Sequence, residues 1–310
     1  MLDVRHLSIH FHRYNQGLRR TILTPVVDLD LQVRGGEIVA VVGSSGSGKS
    51  LLVHAVLGIL PSNAQVEGEI WYQGQLLTPE RQAILRGRQI ALIPQSVSFL
   101  DPLMRVGAQV RRAAHLSGKN RHSVDAQRAI FQRYQLPPEA ENWYPFQLSG
   151  GMARRTLVAM AVVGEAELLL ADEPTPGLHP EVVQETLNHL RQLADEGRGV
   201  VLITHDIQAA LQVADRIAVF YAGTTVEIAP RTAFSGKGEG LLHPYTQALW
   251  RSLPQNEFVA LPGMQPSPQD LPAGCLFAPR CPLATSECSL ERPAMRTLAQ
   301  NQVRCIHAQG

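Results

Sequence analysis

Cysteine is missing from the first 274 residues; all four in the chain, Cys275, Cys281, Cys288 and Cys305, fall within the last 36. In a reducing compartment such clustering favours a metal or cluster site over disulfides. No apolar run approaches the roughly 18–20 residues needed to cross a bilayer as a helix. The longest, 38–42 and 200–203, are short and rich in β-branched residues, as buried parallel strands are. The opening MLDVRHLSIHF has no basic segment followed by an apolar one, so it reads as a first strand and not as a signal peptide. These absences imply a cytoplasmic chain whose link to any membrane runs through partners. Charge of neither sign is in excess: 28 Lys plus Arg face 27 Asp plus Glu, a formal net charge of +1. Such balance lacks the basic footprint of a general nucleic-acid binder. At 310 residues the chain can hold one large domain or two smaller ones with a substantial core.

What is present reads as an α/β fold. Residues 1–33 alternate apolar and polar side chains like two or three antiparallel strands, interrupted by a polar hairpin loop over 13–24. A strand over 37–42 runs into a glycine-rich loop, and a helix over 49–60 stops before Pro61. Residues 66–77 suggest a second hairpin with Gly68 and Gly74 at its turns. From about 80 to 160 the pattern is helical, over 80–86, 108–116, 123–134 and 152–163. Strands over 167–171, 199–204 and 216–221 then alternate with helices over 180–195 and 207–214. Such alternation places ligands at the carboxyl ends of parallel strands. Beyond Glu227 proline and glycine increase around one helix over 244–252. Residues 254–274 carry five prolines and read as an ordered linker or wrapping arm.

Gly43, Ser44, Ser45, Gly46, Ser47, Gly48, Lys49 and Ser50 match G-x-x-x-x-G-K-[ST] in full, between a strand and a helix, with Leu51 following. The glycines let the backbone wrap a β-phosphate, Lys49 offers a point charge, and Ser50 offers its hydroxyl to Mg²⁺. Asp172 and Glu173 end an aliphatic strand. Two acids there are ordinarily a solvated terminus. Behind a phosphate loop they read as a holder of Mg²⁺ through water and as the group that orients or deprotonates attacking water. His205 follows the strand over 199–204, where a neutral imidazole can hydrogen-bond a γ-phosphate. Ser149, Gly150 and Gly151, within Leu148-Ser-Gly-Gly-Met152, begin a helix whose amides form an anion site. One nucleotide hardly needs both phosphate-binding devices from one subunit. The simplest resolution is a dimer in which each subunit's Ser-Gly-Gly turn caps the other's ATP.

A full phosphate loop, then this turn about twenty residues before an aliphatic strand ending in Asp-Glu, resembles the ATPase subunits of ABC transporters over nearly the whole chain. The resemblance implies an ABC-type nucleotide-binding domain over 1–229. Its parts are a phosphate-loop core sheet, an antiparallel β subdomain and a helical subdomain at about 80–160. It implies ATP and Mg²⁺ as cofactors, Glu173, His205 and Gln95 at the hydrolytic centre, and Mg²⁺ held by Ser50, Gln95 and Asp172. Gln95, after a short strand over 90–94, would link the metal and water to the helical subdomain that touches the permease. An aromatic upstream of the loop normally stacks on adenine; Phe11 closes the first strand at about the right place, although a Phe there is more often core. Two departures stand out. Met152 and Arg154 replace the usual glutamines, removing polar contacts that stiffen the turn. In Thr175-Pro176-Gly177-Leu178-His179, His179 stands where an Asp usually joins the two ATP sites, which implies altered or unequal communication between them.

Leu242-His243-Pro244-Tyr245-Thr246-Gln247-Ala248-Leu249 resembles a motif of peptide and nickel importer ATPases. Gly274-Cys275, Arg280-Cys281-Pro282 and Val303-Arg304-Cys305 resemble the same branch's C-terminal extension, here 230–310. In that branch four such cysteines can ligate a [4Fe–4S] cluster. The spacing C-x5-C-x6-C-x16-C matches no C-x2-C zinc pattern, and a cluster, a zinc ion or plain thiols all stay open. Leu57-Gly-Ile-Leu-Pro61 and Tyr144-Pro145-Phe146 look like nickel or metallophore importer subunits, though peptide importers share much of this. The expectation is an ATP-hydrolysing subunit that powers import of peptides or of nickel and metal–chelator complexes. It would sit at the cytoplasmic face of the inner membrane with a second related ATPase, two permease subunits and an extracytoplasmic solute-binding protein, and without nucleic acid. Two alternatives stay open: a soluble ABC ATPase acting on nucleic acid or ribosomes, and a regulatory subunit with weak hydrolysis.

Overall fold

The computed structural model describes residues 1–14, 20–44, 46–117, 123–164 and 166–309. Its strands are β1 (Leu2–Tyr14), β2 (Arg20–Val33), β3 (Ile38–Gly43), β4 (Ala64–Tyr72), β5 (Gln75–Leu76) and β6 (Ile90–Ile93). They continue with β7 (Leu168–Asp172), β8 (Gly199–Thr204), β9 (Arg216–Tyr221), β10 (Thr224–Pro230), β11 (Arg296–Leu298) and β12 (Asn301–Val303). The helices are α1 (Lys49–Leu57), α2 (Pro79–Leu85), α3 (Val106–Leu116), α4 (Ser123–Arg133) and α5 (Gly150–Val162). After them come α6 (Pro180–Asp195), α7 (Ile207–Val213), α8 (Pro244–Arg251) and α9 (Glu287–Leu290). Two compact units divide them. Unit one holds Met1, Val33–Ile38 and Thr78–Thr204; unit two holds Leu2–Gln32, Val39–Leu77 and His205–Gly310.

In unit one β6, β7 and β8 run parallel, from Ile90 opposite Leu168 to Asp172 opposite Ile203. Every residue of β7 and β8 is buried, which is why both read as unbroken apolar runs and not as alternation. Burying a Leu, Val or Ile side chain fully is worth about 1.5–3 kcal/mol, so these runs anchor the unit. The helical stretch packs α3 against α4 and α5, and α5 against β6. The start of α2 has a local cause. Pro79 occupies the first turn of α2, where its missing N–H costs nothing, and Thr78 Oγ1 accepts the Arg81 N–H at 3.4 Å.

In unit two β2-β1-β4-β5 form an antiparallel sheet. A second set follows the order β11-β12-β10-β9-β3, in which β3 and β9 are parallel and the other neighbours antiparallel. Several expectations change here. The hairpin loop over 13–24 is shorter, because β1 continues to Tyr14 and β2 begins at Arg20; residues 15–19 lie outside the described ones. Gly68 is no turn residue. It sits inside β4 at φ +90°, facing a bulge of β1 between Arg5 and Ser8, and a side chain there would strike the carbonyl oxygens of His6 and Arg5. The turn itself is Gln73-Gly74, both at positive φ, as a two-residue hairpin turn requires. Helix α1 ends at Leu57 and not at 60: Gly58 adopts φ +64° and its N–H caps the Ala55 and His54 carbonyls.

Residues 254–274 contain no helix or strand, as expected of an arm. The unforeseen elements are β10, α9 and, near the end, β11 and β12, the last two of three residues each and too short to show a period. Through β11 and β12 the C-terminus returns to the sheet, with Val303 opposite Glu227 on β10. The expected domain boundary at 229/230 falls at the end of β10, and both sides of it lie in unit two.

Candidate functional site

The predicted residues divide between the units: Phe11, the loop 43–51, His205 and the cysteines in unit two; Gln95, 149–151, Asp172 and Glu173 in unit one. In unit two, β3 delivers Gly43 and the loop enters α1 at Gly48, whose φ is +87°. A Cβ there would lie 2.6 Å from the Pro25 carbonyl oxygen, so the fold itself demands glycine. Lys49 is buried, and its ammonium donates to the Gly43 and Ser44 carbonyls, each at 2.9 Å, with Ser47 Oγ at 3.5 Å. A buried ammonium needs such acceptors, and these hold it at the loop. Gly46 takes φ +77°, while Ser50 and Leu51 are half-buried in the first turn of α1. Ser45 lies outside the described residues. Phe11 is half-buried opposite Ala64 and does not close β1, which runs on to Tyr14.

In unit one β7 ends at buried Asp172, and Glu173 follows at φ +43° with its N–H on the Ile203 carbonyl at 2.9 Å. A non-glycine residue in that region is strained, and such strain gathers at functional positions. Gln95 Nε2 donates to Glu173 Oε2 at 3.1 Å, so two predicted residues meet beyond the ends of adjacent strands β6 and β7. One participant went unrecognised. Arg154 of α5 is buried and donates to the Pro94 carbonyl at 2.8 Å and to the Gln95 carbonyl at 2.6 Å. Burial pushes its guanidinium below the usual arginine range. The expectation that Arg154 only removes polar contacts is therefore corrected. It ties the helix that starts at the Ser-Gly-Gly turn to the Gln95 backbone, and the sole signal was a residue out of pattern.

Ser149 caps α5, its Oγ accepting the Met152 N–H at 3.3 Å. Ser149 and Gly150 are exposed, and a Cβ on Gly150 would meet no described atom within 4 Å. A glycine in a helix costs about 1 kcal/mol relative to alanine, and nothing described in this chain's packing requires this one. His179 is exposed and caps α6 without a side-chain hydrogen bond to the helix. His205 is exposed just past β8, and Asp206 Oδ1 accepts the N–H groups of Gln208 and Ala209 to start α7.

All four cysteines are free thiols, Cys288 and Cys305 buried and the other two half-buried. Burial pushes the Cys275, Cys281 and Cys305 thiols up; N–H groups of Phe277, Ala278, Leu283, His307 and Ala308 directed at the sulfurs pull them down, and the neighbouring cysteines raise them again. Each of these three thiols thus feels at least one neighbouring cysteine. His307 Nε2 lies 3.4 Å from Cys288 Sγ. A zinc ion would draw its thiolates within about 4 Å of one another. Among the described residues the only set of metal-binding groups with ligand atoms within 4.8 Å is His6, Asp28 and Asp30. Arg304 already pairs with both of those carboxylates at 2.5 Å.

Residues 26–176 match the family model described as ABC transporter, and residues 226–288 match that of the oligopeptide/dipeptide transporter C-terminal region. The chain is 36% identical to the dipeptide transport ATP-binding protein DppD of Haemophilus influenzae, over 98% of this chain and 94% of that one. It is 36% identical to DppD of Escherichia coli over 99% and 96% of the two chains. With the oligopeptide transport ATP-binding protein OppD of H. influenzae it shares 32% identity over 98% and 96%. The dimeric post-hydrolysis structure of the ATP-binding cassette MJ0796, bound to ADP and Pi, superposes with a TM-score of 0.64. It covers 74% of this chain and 99% of that one at 24% identity, which speaks for the fold alone. Phosphate loop, signature turn, Asp-Glu strand end and C-terminal region together make this chain an ABC transporter ATPase, of the branch that carries the oligopeptide/dipeptide transporter C-terminal region.

Proposed function

We propose that this ATPase powers import of short peptides through a membrane permease. The cargo follows the relatives named for dipeptide and oligopeptide transport, which match nearly end to end. No helix among the described residues is long and apolar enough to cross a membrane, so contact with the bilayer runs through permease subunits. An extracytoplasmic binding protein delivers the peptide, and a second related ATPase completes the pair. Functionally the chain divides into an ATPase part over 1–229 and an extension over 230–310.

The observation that carries the catalytic reading is the Gln95–Glu173 hydrogen bond beside strained Glu173. Residues 43–51 hold the phosphates, with Lys49 as their cation. Ser50, Gln95 and, through water, Asp172 would hold Mg²⁺, which would supply positive charge to the phosphates when bound. Glu173 orients and deprotonates the attacking water while Gln95 fixes the carboxylate. His205 hydrogen-bonds the γ-phosphate. Phe11 takes the adenine. Ser149, Gly150 and Gly151 cap the ATP of the partner subunit, which explains an exposed serine and an exposed glycine at which a Cβ would meet no described atom within 4 Å. His179 leaves communication between the two ATP sites altered or unequal.

The four cysteines fit a [4Fe–4S] cluster better than zinc. They are thiols, three of which each feel a neighbouring cysteine, with N–H groups aimed at those three sulfurs and a spread wider than a closed zinc site. Purified anaerobically, the protein should be brown and contain iron; zinc without iron would remove this assignment. The function is tested by reconstituting the chain with its two copurifying permeases. ATP-dependent uptake of labelled dipeptide supports the reading. Uptake of a nickel chelate alone, or failure to copurify with any hydrophobic subunit, overturns it.

A further inference from the structure

The proline-rich arm over 254–274 is tied to the rest of unit two by several hydrogen bonds. Near the cysteines, Arg280 Nε donates to the Pro262 carbonyl at 2.8 Å and Nη2 to the Leu261 carbonyl at 3.2 Å. Its Nη1 reaches the Tyr221 hydroxyl at 3.1 Å, and the guanidinium lies 5.7 Å from the Tyr221 ring centre. Farther along, the Pro268 carbonyl accepts the Thr24 N–H of β2 at 3.0 Å. Between these anchors Ser44 Oγ donates to Gln265 Oε1 at 2.9 Å, a contact between residues 221 apart in the chain. The adjacent Met264 is 89% exposed, while Gln265 itself is half-buried. The contact is polar, and it falls on the phosphate loop.

Ser44 is the second residue of that loop, and its carbonyl is one of the two that accept the Lys49 ammonium. A side chain that fixes the Ser44 hydroxyl therefore also biases the peptide plane that aims Lys49. We propose that Gln265 is a positioning residue of the ATP site, carried there by the arm, so that the C-terminal extension shapes nucleotide binding in its own chain. A carboxamide suits this position because its oxygen accepts from Ser44 without adding negative charge beside phosphates. The proposal rests on residues 43–51 being the ATP loop. It assigns the arm a role distinct from any ligand of the cysteines, and Arg280 becomes the fixed point from which the arm reaches the loop.

The test uses the full chain and titrates a fluorescent ATP analogue with Mg²⁺. Gln265→Met keeps the length of the side chain and removes the acceptor; nucleotide Kd should rise about two- to tenfold, the worth of one hydrogen bond. Ser44→Ala should weaken binding by a similar factor, and the double variant should be no weaker than either alone. Gln265→Glu keeps an acceptor but repels phosphate, so its deficit should shrink as salt rises. Met264→Ala should change Kd less than twofold, and all variants should keep the wild-type unfolding midpoint. An unchanged Kd in Gln265→Met, or additive effects in the double variant, overturns the proposal while leaving the loop assignment intact. Absence of nucleotide binding in the wild-type chain would instead overturn the loop assignment and the proposal with it.

Discussion

The strand ends of unit one and the base of the C-terminal extension both collect polar side chains, and they treat them in opposite ways. Beyond β6 and β7, Gln95 is exposed and Glu173 half-buried, in a backbone conformation that costs energy. At the extension, Glu227 is fully buried and accepts N–H groups from Leu242, His243 and Asn301 at 2.8, 2.9 and 2.8 Å. Burial still holds its carboxyl above the usual range, against the pull of those donors. Arg304 is 3% exposed and donates to Asp28, Asp30, and the Thr225 and Pro293 carbonyls. A polar group saturated by its own chain specifies the fold. On the proposed function, the strained carboxylate that Gln95 holds serves chemistry instead.

The contrast can be broken by substitution. Glu173→Gln should lower ATP turnover by about 10²–10⁴-fold, as loss of a general base does, while the urea midpoint stays put. A loss of stability comparable to the loss of turnover would erase the distinction. Arg304→Met should do the reverse on the other side. It strands two partly exposed carboxylates, and the cost is about 3 kcal/mol, the low end for breaking a buried pair. Equilibrium denaturation reads this directly, and a change below about 1 kcal/mol would show that the network only decorates the extension.

A pH series sharpens the comparison further. His243 is buried, its Nδ1 accepts the Tyr245 N–H, and burial drives its pKa from 6.5 to about 3. The folded chain thus refuses a proton that the unfolded chain takes up. Stability is fully present above pH 6.5 and is lost as pH falls from there toward 3, at up to about 1.4 kcal/mol per pH unit. His243→Asn retains an acceptor for the helix start and should flatten that slope. An unchanged acid profile would place the sensitivity elsewhere. The smallest effect belongs to His179→Asp, which supplies α6 with the side-chain cap it lacks and should add about 1 kcal/mol. Its influence on hydrolysis, compared in the assembled complex, shows whether the unusual histidine affects more than the helix.

Much of the site was legible because its residues are contiguous. The loop 43–51, the Ser-Gly-Gly turn and the Asp-Glu pair are local motifs with characteristic spacing, and the fully buried strands β3, β7 and β8 stand out as apolar runs. Arg154 was misread because its value lies in two carbonyls about 60 residues away. Gly68 was misread as a turn because a glycine forced by a bulge on the neighbouring strand looks the same in sequence. Strands β11 and β12 left no pattern at all, since three residues cannot display alternation.

What the sequence by itself determined is the order of motifs: where the phosphate loop stands, which strand ends in acids, which family that order belongs to, and where the cysteines gather. Short-range spacing suffices for that, because each motif is one turn or one strand end. Only the tertiary structure decided that Gln95 reaches Glu173, that Arg304 locks the last strands to β2, and that Gln265 comes down on the phosphate loop. Those contacts join residues from 78 to 276 positions apart. Polar pairs at such distances leave no periodic trace in the chain; the path of the folded backbone alone brings donor and acceptor together.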